Sequence, residues 1–160
     1  MESLAELTGF FAAHGIWCVS DSGPLIPMLG YRIADGSRGM DRLAAAQLEQ
    51  GVAQGEEWLR DNPHRATHAV LVYDGFVTLD SGKTDALMLR ARKYGPSPGA
   101  LDMLVPYRNP ESGFTVYRPK FVEVAPDTSD YSVLSEAFFR GVDSHEKGAE
   151  VWNAHLDQSR

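Results

Sequence analysis

Four cations at alternate positions carry the clearest chemical suggestion in this chain. Arg90 and Arg92 lie two apart in a run with Ala86 and Met88, and Arg118 and Lys120 lie two apart in a run with Val116 and Val122. Side chains two residues apart on a strand share one face. If the two strands are neighbours, four positive charges decorate one sheet face, with Tyr107, Arg108 and Tyr117 close by. An arginine fork matches a carboxylate or phosphate bidentately, so this set would form a groove for a small anionic ligand, with a tyrosine hydroxyl as donor. The competing reading is a solvated sheet face whose lysine and arginines protect an edge.

Other chemistry-bearing residues are set aside on spacing. His14 and Cys18 are four apart, as are His64 and His68. Gly15 is expected to end a helix between the first pair, and Pro63 precedes the second where a helix gives way to a strand. His145-Glu146 lacks a histidine three positions on, because Ala149 stands there, so it is not a zinc-hydrolase helix. Gly82-Lys83-Thr84 ends like a phosphate-binding loop, but Val77 occupies the place of its first glycine and a strand follows. Asp74, Asp80 and Asp85 cluster around expected turns, where aspartate bonds locally. With Glu123 they would make a divalent-metal nuclease site only if a lysine followed on the same strand, and Lys83 lies in a turn instead. Glu49 and Glu56, with Arg60 beyond, read as a charged helix face. Ala12-Ala13-His14 and Ser20-Asp21-Ser22-Gly23-Pro24 resemble the histidine and nucleophile segments of chymotrypsin-like serine proteases. The resemblance spans these eight residues and lacks the second glycine of the nucleophile loop. It implies a triad that the short spacing of His14 and Ser22 does not suit, since such a site is defined by geometry and roles.

The elements that must position these groups follow from periodicity. Leu4, Leu7, Phe10 and Phe11 recur at helical spacing, with Gly15 as the expected C-cap and Ile16–Val19 as a brief strand. Ser20–Gly39 is rich in proline and glycine and reads as a long loop of open function. From about Met40 to Arg60, Ala44, Leu48, Val52, Gly55 and Leu59 form an apolar stripe, ended by Asn62-Pro63. Gly51 and Gly55 weaken that helix by ~1 kcal/mol each, which points to close approach of another element. The period then changes to two in Ala69–Tyr73, Phe76–Leu79, Asp85–Arg92, Leu101–Tyr107 and Phe114–Val124. Turn residues separate these runs, Asp74-Gly75 among them, and short turns impose antiparallel pairing. Pro119 marks the last strand as an edge or bulge. Two further helices are expected, one holding Val133, Leu134 and Phe138 and ending near Gly141. The other starts at Asp143–Glu146 and carries Val151, Trp152 and Leu156.

The expectation is a single α+β domain over residues 1–160: an antiparallel meander of four or five strands, one face covered by N- and C-terminal helices. At 160 residues with 43% hydrophobic and 23% charged content, the chain can bury a core without a disulfide or metal. A lone Cys18 and acidic first residues suit a reducing cytoplasm with no secretory leader. No apolar run suits a bilayer span. A net charge of -7 disfavours nucleic acid and anionic lipid as partners. Arginine outnumbers lysine 11 to 4, as in a GC-rich bacterial source. No nucleophile or base stands in a recognisable setting and no cofactor or metal is implied. The function expected first is therefore a non-catalytic module for self-association, as a homodimer, or for protein binding. The alternative is an enzyme or binding protein for a small anionic metabolite, held by Arg90, Arg92, Arg118 and Lys120 with Tyr107 or Tyr117.

Overall fold

The computed structural model describes residues 1–21, 23–127 and 129–160. It is α+β: α1 (Glu2–Val19), β1 (Met28–Arg32), β2 (Arg38–Arg42), α2 (Leu48–Asp61), β3 (His68–Leu79), β4 (Gly82–Lys93), β5 (Gly99–Arg108), β6 (Thr115–Val116), β7 (Lys120–Ala125), α3 (Tyr131–Ser144) and α4 (Glu146–Ala154). The strands form one antiparallel sheet in the order β2-β1-β3-β4-β5-β6, with β7 also pairing β5. No helix among the described residues is long and apolar enough to cross a membrane.

Strand alternation builds two cores. Val70, Val72, Leu87, Leu89, Leu101, Met103 and Val105 point to the face covered by α1, α3 and α4, where they meet Leu7, Phe11, Ile16, Phe138 and Trp152. The opposite residues of β1 and β3, Leu29, Ala69 and Leu71, form a smaller core with Leu43 and with Leu59 of α2. Helices thus lie on both faces, where the sequence suggests one. The glycines of α2 explain its approach: a Cβ on Gly51 would stand 2.3 Å from the Leu43 carbonyl oxygen, and one on Gly55 2.4 Å from Leu71 Cδ1. Asn62 ends α2 in the left-handed region at φ 52°, and its amide brackets Ala66 through both N–H and C=O. The Tyr94 hydroxyl donates to the Leu59 carbonyl, and burial pushes its pKa up to about 12.

Several sequence expectations are corrected. Gly15 does not end α1, and Ile16–Val19 is helical rather than extended. The missing side chain of Gly15 lets the helix settle on Leu87 and Val72, whose methyl groups would lie 2.9 and 3.3 Å from a Cβ there. The proline- and glycine-rich passage holds β1 and the start of β2, a hairpin whose turn is tied by the Ser37 N–H donating to Asp35. Met40 belongs to this hairpin, opposite Gly30, so α2 starts at Leu48. Asp74-Gly75 is not a turn: β3 runs through it, Asp74 opposite Leu87 and Gly75 opposite Ala86. Among the described residues the sheet has seven strands rather than four or five, because β1 and β2 join it and the last run is split into β6 and β7. The run Phe114–Val124 is two strands, with Pro119 between β6 and β7, and the bulge of the last strand is at Val122, skipped between the pairs Asp102–Glu123 and Met103–Phe121. α3 continues past Gly141 to Ser144, and the N-cap of α4 is His145.

Candidate functional site

The cations named from sequence are divided by the strand order. Arg90 and Arg92 share a face of β4, but β5 stands between β4 and β7 and supplies Asp102 opposite Arg90. Arg92 Nη1 donates to Asp102 Oδ1 at 2.7 Å, and Arg90 Nη1 donates to Glu56 Oε1 of α2 at 3.0 Å. Both arginines line a hollow of about 480 Å³ with Arg60 and Lys93. Arg60 turns to Asp61 instead of Glu56. Arg118 lies in a different hollow beside Phe121, its guanidinium donating to the Gln158 carbonyl. Lys120 borders a third, near Asp80, Ser81 and Arg160. Tyr107 is 4% exposed and Tyr117 2% exposed; the Tyr107 hydroxyl donates to Asp74, and the Tyr117 hydroxyl accepts from Arg160 Nη1 at 3.5 Å rather than from any of the four named cations.

The Tyr107 hydroxyl leads to a feature not singled out from sequence. It donates to Asp74 Oδ1 at 2.8 Å across the β3–β4–β5 ribbon. Partial desolvation holds the Asp74 carboxyl above its ordinary pKa, with the Tyr107 bond opposing that shift. Asp74 marks the point where β3 loses its outer neighbour. β1 is five residues long and pairs only with His68–Val72, whereas β3 is twelve residues long. Among the described residues, β3 is paired on one side only, by β4, from Tyr73 to Leu79. The backbone amides and carbonyls directed away from β4 therefore have no strand partner along this arm.

The surroundings of that edge are apolar. Phe76 is 64% exposed and Leu48, at the first turn of α2, is 43% exposed. With Val52 and Tyr73 they line a groove of about 470 Å³ alongside the open part of β3. The Lys83 ammonium lies over the Phe76 ring, 4.2 Å from its centroid. The segment Tyr73–Leu79 contains one charge, Asp74, and no lysine, arginine or proline. Other outer strands are guarded: β2 carries Arg38, Asp41 and Arg42, and β7 carries Lys120 and Glu123 beside its irregular pairing. Such charges and bulges oppose strand addition; the β3 arm has no bulge and the single charge Asp74, at its start.

His64 bonds Asp41 and stacks on Tyr31, while His68 Nδ1 lies 2.9 Å from Thr67 Oγ1. Among the described residues no three His, Cys, Asp or Glu side chains gather as a metal set. Ser22, in the protease-like fragment, lies outside the described residues. The open edge was hidden because it depends on how far β1 reaches along β3, which no local pattern encodes. No protein-family model, curated protein or solved structure matches this chain.

Proposed function

We propose that this domain is a non-catalytic self-association module, and that two copies join through the outer edges of their β3 arms. The observation that carries this reading is the unpaired stretch Tyr73–Leu79 beside exposed Phe76 and Leu48. Addition of a strand to an open edge gains main-chain hydrogen bonds, and the flanking pockets give selectivity.

The segment is self-complementary. Antiparallel pairing about a two-fold axis at Phe76 sets Tyr73 against Leu79, Asp74 against Thr78 and Gly75 against Val77, with the two Phe76 rings facing each other. Aromatic cross-strand pairs stabilise a ladder, and no like charges oppose one another. The same operation on β2 about Met40 would set Arg38 against Arg42 twice. A two-fold dimer is also the commonest closed assembly. The anion-binding alternative has less support, because its cations are spread over three hollows and its β4 arginines already bond carboxylates.

Light scattering across a dilution series tests the proposal directly. Phe76→Lys places like charges at the axis and is expected to give monomers. Mixing Phe76→Lys with Phe76→Glu is expected to restore a dimer, which a misfolded variant would not do.

A further inference from the structure

A second region, on the α1 side of the sheet, combines a tautomer-fixing histidine relay with a cation that has no partner among the described residues. His145 caps α4: the Gly148 N–H donates to His145 Nδ1 at 2.9 Å. That bond requires the ring hydrogen of neutral His145 to sit on Nε2. His145 Nε2 lies 3.0 Å from His14 Nδ1, so it donates there. The hydrogen of neutral His14 is then on its own Nε2. One backbone amide thus sets both tautomers, and it leaves His14 with a donor that no described side chain or carbonyl accepts.

His14 borders a hollow of about 380 Å³ between the end of α1 and the β1–β2 hairpin. That volume suits a small molecule. Its polar lining includes the Arg42 guanidinium, which has no ion pair or side-chain hydrogen bond among the described residues. Arg42 is close enough to disfavour the charged form of His14. No carboxylate lines the hollow, and Asp21 is felt just beyond it, at Cys18. The walls are Trp17, Leu25, Met28 and Met40, and thioether sulfurs with an indole favour contact with an aromatic ring.

We propose that this hollow binds a small aromatic carboxylate, with the carboxylate on Arg42 and His14 Nε2–H and the ring among Trp17, Met28 and Met40. Two donors, one of them cationic, select an anion over its neutral counterpart. The apolar walls select a flat body over a simple inorganic ion. The hollow shares no lining residue with the groove beside the β3 arm, so either reading can fail alone.

Ligand-observed NMR on the full chain tests it, with benzoate as the probe and benzyl alcohol as its neutral match. Benzoate is expected to saturate below about 10 mM, with benzyl alcohol at least about tenfold weaker. Arg42→Gln is expected to weaken benzoate about tenfold or more, whereas replacement of the exposed Arg65, as Arg65→Gln, leaves it unchanged. Arg42 is exposed at a strand end, so its replacement spares the core. No saturation by benzoate, equal binding of benzyl alcohol, or an unchanged affinity in Arg42→Gln would each overturn the assignment.

Discussion

Gly9 of α1 and Gly141 of α3 pack backbone against backbone. A methyl group on Gly9 would stand 1.8 Å from the Phe138 carbonyl oxygen, and one on Gly141 would stand 1.9 Å from that of Glu6. Gly148 of α4 makes a similar approach, 2.5 Å from the Ala13 carbonyl oxygen. Three glycines therefore let α3 and α4 lie directly on α1, and the layer so formed roofs the larger core. Backbone atoms cannot swing aside as a side-chain tip can. Gly9→Ala or Gly141→Ala is expected to cost about 3 kcal/mol, even though alanine favours the helix itself by ~1 kcal/mol. Urea unfolding measures this, and a loss smaller than ~1 kcal/mol would contradict the packing.

The histidine relay predicts a pH dependence of stability. Burial lowers the pKa of His14 and His145 from the usual 6.5, with His145 and Arg42 adding to the shift at His14 and Arg38 at His145. Lys147 over Trp17 adds another nearby cation. The unfolded chain then takes up protons before the folded one does. The stabilisation is complete above about pH 6.5 and is lost as pH falls through the lower folded values. His68, also lowered by burial, contributes in the same window. Urea midpoints should fall between about pH 7.5 and 5, and His14→Gln with His145→Asn should flatten that fall. An unchanged slope in the double variant would exclude the relay as its source.

Tyr107 and Asp74 link the centre of the sheet to the start of the open arm. Tyr107→Phe removes the donor to Asp74 and is expected to cost about 1 kcal/mol. The bond lowers the Asp74 pKa against the raising effect of desolvation. Its loss should therefore move that pKa further up, as carboxyl NMR titration would record. A downward move would mean that the hydroxyl does not donate there.

Legibility of the fold followed the range of the interactions. Period two in Asp85–Arg92 and Leu101–Tyr107 revealed the antiparallel centre, because alternation is a local property. Gly51 and Gly55 announced a close helix approach, which Leu43 and Leu71 provide. Gly15 misled because a glycine that ends a helix and one that admits a neighbour look alike in one dimension. The β1–β2 hairpin stayed hidden because its glycines replace apolar alternation. A Cβ on Gly30 would meet the Phe11 ring at 2.4 Å, and one on Gly39 the Tyr31 ring at the same distance. Asp74-Gly75 has turn composition, yet it sits in mid-strand, where Gly75 passes beside Met88. The shared face of Arg90 and Arg92 was readable, but Arg118 falls between β6 and β7 rather than on a strand with Lys120, and the intervening Asp102 was not readable.

The central claim is that the arm of β3 pairs with its own copy. The most direct measurement is amide hydrogen exchange along Tyr73–Leu79, followed as protein concentration is lowered, for the native chain and Phe76→Lys. Outward-directed amides of the native arm should be protected at high concentration and lose that protection on dilution, while Phe76→Lys stays unprotected throughout. Protection that is the same in both proteins and at every concentration would contradict the account.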